Sequence, residues 1–137
     1  MREAEEIAAI ERACFTEPWS VPSVEAQLKS GSAILTTARD GGRLVGYAVG
    51  AGAFDEAELY RLAVLPEARR RGYGAGLLDD FLKACFRRGA SRVFLEARSK
   101  NTPALSLYQK AGFIEIARRR GYYGDDDAVV MERIFIK

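Results

Sequence analysis

Apolar residues recur every three to four positions in four stretches of this chain, and in six others they alternate or run in short blocks. The helical spacing covers 3–15 (EAEEIAAIERACF), 21–30 (VPSVEAQLKS), a strong stretch at roughly 74–88, and a short one that begins after residue 102. Ser20 caps the second helix and Gly31 stops it. On the third, Leu77, Leu78, Phe81, Leu82, Cys85 and Phe86 share one face and Gly89 ends the run. Thr102 is expected to cap the fourth, with Pro103 at its first position and Gly112 past its end.

The strand-like blocks are AILTTARD (33–40) and RLVGYAVGAGAF (43–54) around a Gly41-Gly42 turn, then AELYRLAVL (57–65), closed by Pro66. SRVFLEARS (91–99) follows the strong helix, and FIEIARRR (113–120) and DAVVMERIFI (127–136) close the chain around GYYGDD. This order predicts a single α/β (α+β) domain over 1–137, a mixed central sheet flanked by helices. Strand, helix and strand between Leu59 and Arg98 further predict parallel pairing through a right-handed crossover.

Composition removes several classes of function. With 48% hydrophobic and 29% charged residues, the chain has the make-up of a folded domain, not of a disordered segment. Its net charge of +2, from 21 basic and 19 acidic residues, carries no global signal for direct nucleic-acid binding. No apolar run approaches the ~20 residues of a membrane span. The acidic first segment is unlike a signal peptide, so a cytoplasmic protein without a membrane partner is expected. Cys14 falls in step with Ile7 and Ile10, and Cys85 with Leu78, Phe81 and Leu82, which reads as two core-facing thiols. With no histidine and no clustered cysteine, no metal site is expected.

RRRGYGAGLL (69–78) is the segment with the most chemical content. A helix that starts behind glycines 72, 74 and 76 exposes unpaired N–H groups to a close-approaching anion, most naturally a phosphate. Arg69, Arg70 and Arg71 add charge at the rim. The same residues would equally serve a solvated basic turn whose glycines only permit close packing. A P-loop is excluded, because no Gly-Lys-Ser/Thr follows. A dinucleotide fingerprint would use Glu96, about 20 residues on, but needs glycine where Leu77 stands. An RNA-binding turn would need an aromatic platform, and no such pattern accompanies this one.

Arg-x-x-Gly-x-Gly, here Arg69, Gly72 and Gly74, resembles the acetyl-CoA motif of the GNAT acyltransferases. FTEPWS (15–20), DEAELYRLAV (55–64), LEARSKNTPALSLYQKAGF and RRRGYYGDDDAVVM resemble the RimI-like branch, the ribosomal-protein-alanine N-acetyltransferases, over nearly the whole chain. Such domains open with an edge strand, which here is expected to be short or missing.

The resemblance implies transfer of acetyl from acetyl-CoA to the amino-terminal alanine of the eighteenth small-subunit ribosomal protein, by direct attack in a ternary complex and without a metal. It implies backbone contacts to the acetyl-pantetheine arm from Leu62, Ala63 and Val64. A pyrophosphate cradle over 70–75 would include Tyr73 and Ala75, and Asn101 would be a further cofactor contact. Glu96 is implied as general base and Tyr108 as general acid.

From spacing alone, Glu96 shares a strand face with Phe94 and Arg98, where burial would raise its pKa or Arg98 would simply pair with it. Tyr108 shares a helix face with Ala104, Leu105 and Ala111, which also suits a core tyrosine. Trp19 and Tyr122 are candidates for the acceptor cleft, with Asp125 to Asp127 attracting a basic peptide; core aromatics and a solvated acidic turn are the plainer alternatives. An acceptor other than this ribosomal protein, or a CoA-binding module without turnover, remains open.

Overall fold

A computed structural model describes residues 2–135; Met1, Lys137 and position 136, the end of the predicted strand 127–136, lie outside the described residues. Helices α1 (Arg2–Cys14) and α2 (Val21–Lys29) are followed by strands β1 (Ala33–Asp40), β2 (Arg43–Ala53) and β3 (Glu56–Val64). A 3-10 turn (Pro66–Ala68) leads to α3 (Tyr73–Arg87), then β4 (Arg92–Arg98), α4 (Thr102–Lys110), β5 (Ile114–Arg119) and β6 (Ala128–Ile134). The strands form one sheet in the order β1-β2-β3-β4-β6-β5. The mixed sheet expected from the sequence is therefore present, and among the described residues no strand precedes α1, so β1 is the sheet edge.

The α3 stripe works as its spacing dictates: Leu77, Leu78, Phe81, Leu82 and Cys85 are buried against the sheet, while Phe86 is half-exposed. Gly50 makes the close packing possible. A Cβ there would lie 1.9 Å from the Glu58 carbonyl oxygen and 2.8 Å from the Phe81 ring, at a point where the β2–β3 register shifts. Cys14, the last residue of α1, packs against the core as its spacing predicts but is only half-buried, its Sγ donating to the Val64 carbonyl at 3.5 Å.

β3 and β4 are the parallel neighbours of the sheet, as predicted, but they pair only over Glu56–Glu58 and Arg92–Phe94. Beyond Glu58 and Phe94 the two strands separate, and Leu62, Ala63 and Val64 keep strand partners on the β2 side alone. A free strand edge faces the gap.

Candidate active site

Where β3 and β4 part, the chain turns back through 65–72 into α3. Gly72 is the N-cap of α3 at φ +84°, a left-handed conformation that suits glycine, and it supplies no capping side chain. The starts of α2 and α4 differ. Ser20 Oγ accepts from the Ser23 N–H on α2, and Asn101 Oδ1 accepts from the Ala104 N–H on α4. The cap of α4 is thus Asn101, one residue ahead of the predicted Thr102. The N–H groups of Tyr73, Gly74 and Ala75 are left without such a cap at the amino end of a 15-residue helix. A Cβ on Gly74 would meet only Leu107 of α4, at 3.6 Å, so α4 sits beside this turn with open space in front of it.

The three arginines do not form a uniform rim. Arg69 turns inward, its Nε donating to the Val64 carbonyl at 3.0 Å and its Nη2 lying 3.6 Å from Cys14 Sγ. Arg71 pairs with Asp40 at 3.3 Å. Arg70 adopts φ +66° and makes no ion pair among the described residues. Left-handed backbone at 70 and 72, at φ +66° and +84°, is of the kind from which anion nests are built.

The second region is an open cleft of about 420 Å³ whose walls include Trp19, Glu58, Tyr60, Glu96, Tyr122 and Tyr123. Glu96 is held by Arg119 at 3.3 Å. Arg119 also lies over the Tyr122 ring, 5.3 Å from its centroid. The expected pairing of Glu96 with Arg98 does not occur. Arg98 points to Asp125 at 3.5 Å and stacks on Tyr123 at 4.1 Å.

Glu58, on β3, makes no ion pair among the described residues. Desolvation at the cleft wall, and then the charge of Glu96, hold its carboxyl above the usual range. Burial, followed by the Glu96 charge, likewise pushes the Tyr123 hydroxyl up.

Tyr108 stands on α4 with its ring edge-on to Phe113 at 6.0 Å. Burial pushes its hydroxyl up to about 12, so it stays protonated at neutral pH and is a proton donor there. The helix face it shares with Ala104, Leu105 and Ala111 is half-buried, not core.

Trp19, Glu96 and Tyr122 are therefore brought together, and Asp127 is not. Its carboxylate accepts the Gly121 N–H at 2.9 Å and pairs with Arg118 at 3.6 Å, so it shapes the β5–β6 turn. Its neighbour Asp126 ties that turn to the end of β4, accepting the Ser99 hydroxyl and the Lys100 N–H at 3.0 Å. Burial opposes ionisation of Asp126, but these hydrogen bonds outweigh it and hold the carboxyl below the usual range. Glu58 and Tyr123 escaped the sequence reading. The signal for Glu58 was there: it alternates with Leu59 on a strand already expected to pair in parallel with the strand of Glu96.

The profile of the acetyltransferase (GNAT) family matches residues 4–113. The [ribosomal protein bS18]-alanine N-acetyltransferase of Escherichia coli strain K12 is 36% identical over 94 residues, which span 66% of this chain and 64% of that relative. The N-alpha-acetyltransferase RimI of Mycobacterium tuberculosis is 36% identical over 139 residues, 96% of this chain and 86% of that one. Among solved structures, the ribosomal-protein-S18-alanine N-acetyltransferase from Escherichia coli superposes with a TM-score of 0.92 at 28% identity, over 100% of this chain and 90% of that chain.

Proposed function

The chain belongs to the GNAT acetyltransferase family, and from that premise we propose that residues 1–137 act as one N-α-acetyltransferase domain. Its proposed reaction moves acetyl from acetyl-CoA to the amino-terminal alanine of the eighteenth small-subunit ribosomal protein, in the cytoplasm, where its two free thiols fit a reducing compartment. The observation that carries the reading is the gap between β3 and β4, with an uncapped helix end behind it and the Glu96 cleft beside it.

The chain's own groups fit the co-substrate. The N–H groups of Tyr73, Gly74 and Ala75, with Gly72 and the Arg70 guanidinium, suit a pyrophosphate. Arg69 and Arg71 shape the turn through Val64 and Asp40 and raise the local positive potential. The edge at Leu62, Ala63 and Val64, which has no strand partner on the β4 side and whose Val64 carbonyl Arg69 already holds, suits the amide groups of a pantetheine arm, in the manner of an added strand. Asn101 spends its carbonyl on the α4 cap, which leaves its NH2 for the co-substrate.

Acetyl-CoA supplies a thioester carbonyl for the amine to attack. Glu96 takes the proton from the amine, directly or through one water, and Arg119, which lies over the Tyr122 ring, orients its carboxylate. Tyr108 gives its proton to the departing sulfur. No acyl-enzyme is needed. Burial pushes the Cys85 thiol up to about 12, and burial likewise pushes up Cys14, whose Sγ already donates to the Val64 carbonyl.

An α-amine with a pKa near 8 is about one-tenth neutral at pH 7, whereas lysine, near 10.4, is neutral in fewer than about one molecule in a thousand. A carboxylate base suits the first and not the second. Trp19 and Tyr122 line the acceptor path, and Asp127 acts on it through the turn it holds.

The test is incubation with acetyl-CoA and a panel of peptides that differ at residue one, read by mass. Preferential gain of one acetyl group on the alanine peptide supports the assignment. Preference for another first residue, or for a small amine, moves the acceptor within the same chemistry. CoA binding with no acetylation of any amine would make the domain a non-catalytic CoA-binding module.

A further inference from the structure

Glu11 is a carboxylate of α1 with 0% exposure, and a buried charge of this kind persists only where partners replace its water. Three groups do so. The Tyr47 hydroxyl donates to Oε2, the Trp19 backbone N–H donates to Oε1 at 2.8 Å, and Arg61 Nη1 lies 3.6 Å from Oε1. Two of the three act on one short segment, 15–19, which has no helix or strand of its own.

Arg61 completes the hold. Its guanidinium lies over the Phe15 ring at 4.3 Å and the Trp19 ring at 4.7 Å, and Nη2 donates to the Glu17 carbonyl at 3.4 Å. A planar, weakly hydrated guanidinium can stack on both rings and still reach Glu11, which an ammonium cannot. An apolar core at this place would stabilise the fold about as well, so the ionic arrangement makes better sense as a device for geometry. The geometry it fixes is that of Trp19, a cleft-wall residue in a segment with no helix or strand of its own.

We propose that Arg61, anchored by buried Glu11, is a positioning residue that holds the Trp19 indole as a wall of the acceptor cleft. It sets affinity for the incoming amine-bearing chain without touching the co-substrate or the reacting atoms. This rests on the reading of the cleft as the acceptor site.

Trp19 is the single tryptophan of the sequence, so its fluorescence reports on this wall directly. Arg61→Met keeps the stem and removes both the charge and the stacking. Its expected signature is a red-shifted Trp19 emission, greater quenching by acrylamide, and a KM for an alanine-led peptide raised about 10-fold. The kcat and the Kd for acetyl-CoA should stay within about twofold, and Arg61→Lys should recover part of the KM. If Arg61→Met does not melt cooperatively, Arg61→Lys, which keeps a charge opposite Glu11, decides on the same readouts.

Unchanged emission and quenching overturn the proposal whatever the kinetics show. A changed emission with an unchanged KM overturns it as well, because the indole then moves without affecting the acceptor. Wild-type protein that acetylates no amine would instead contradict the proposed function, and the fluorescence would still decide whether Arg61 positions Trp19.

Discussion

Between Arg70 and Ala75 the protein presents backbone N–H groups at the end of a single helix, whereas around Glu96 it presents side chains gathered from five segments. The turn is local, and its shape is set by left-handed backbone at 70 and 72 and by the missing cap on Gly72. The cleft is assembled at long range, from the α1–α2 connection, α2, β3, β4 and the β5–β6 turn. The difference matches the two proposed ligands. A pyrophosphate looks the same in every turnover and can be met by fixed backbone dipoles. A protein amino terminus must be told from other amines and relieved of a proton, which takes side chains with tuned acidity.

This contrast predicts that substitutions in the two regions fail in separable ways. Tyr108→Phe keeps the ring against Phe113 and removes the proton. Turnover should fall by ~10²-fold or more with CoA affinity unchanged, measured by steady-state kinetics and calorimetry. Near-normal turnover with chemistry rate-limiting would leave Tyr108 as a packing residue. Glu96→Gln should cost roughly 10- to 100-fold at pH 7 and recover part of that as pH rises past about 8, where the α-amine is increasingly neutral.

Gly74→Asp should act in the opposite sense, weakening CoA about 10-fold or more by placing a carboxylate at the anion turn. The fold should tolerate it, since the new Cβ meets only Leu107 at 3.6 Å. Equal losses in CoA affinity for Gly74→Asp and Glu96→Gln would erase the distinction between the two regions.

Two smaller effects sharpen it. Asn101→Ala removes the α4 cap and should cost about 1 kcal/mol of stability in denaturant unfolding. Glu58→Gln should do the reverse. Its carboxyl is held above its unfolded value, so the neutral form is favoured on folding, and stability is lost as pH rises through that raised pKa. The variant should therefore melt slightly higher than wild type at pH 7, by no more than about 2 °C, and no differently near pH 3.5. A lower melting point at pH 7 would mean that Glu58 has a stabilising partner.

The elements were largely legible in the chain, because each helix carries its own stripe and each strand its own turn signals. The parallel β3–β4 contact followed from the order of elements alone. The glycine turn was legible for the same local reason, with its whole apparatus inside ten residues.

The Glu96 cleft was legible only in part. Glu96, Trp19 and Tyr122 could be singled out, but not the register that sets Glu58 two residues from level with Glu96. Nor does spacing show that Arg119, arriving from β5, takes the place expected of Arg98. The α4 cap moved by one residue because Asn101, not Thr102, had its oxygen within reach of the Ala104 N–H. Asp127 looked like a peptide contact in a run of acids, yet the turn it closes needs its carboxylate first.

The most direct test of α-amine chemistry at this cleft uses two peptides of one sequence. One has a free amino-terminal alanine; the other is blocked there and carries a lysine. Initial rates with acetyl-CoA are measured from pH 6 to 9 for wild type and Glu96→Gln. The proposed function predicts acetylation of the free α-amine alone, with the Glu96→Gln deficit greatest at low pH and narrowing above about 8. Equal rates on the two peptides would contradict the α-amine assignment, and a Glu96→Gln profile parallel to wild type and undiminished would remove Glu96 as the base.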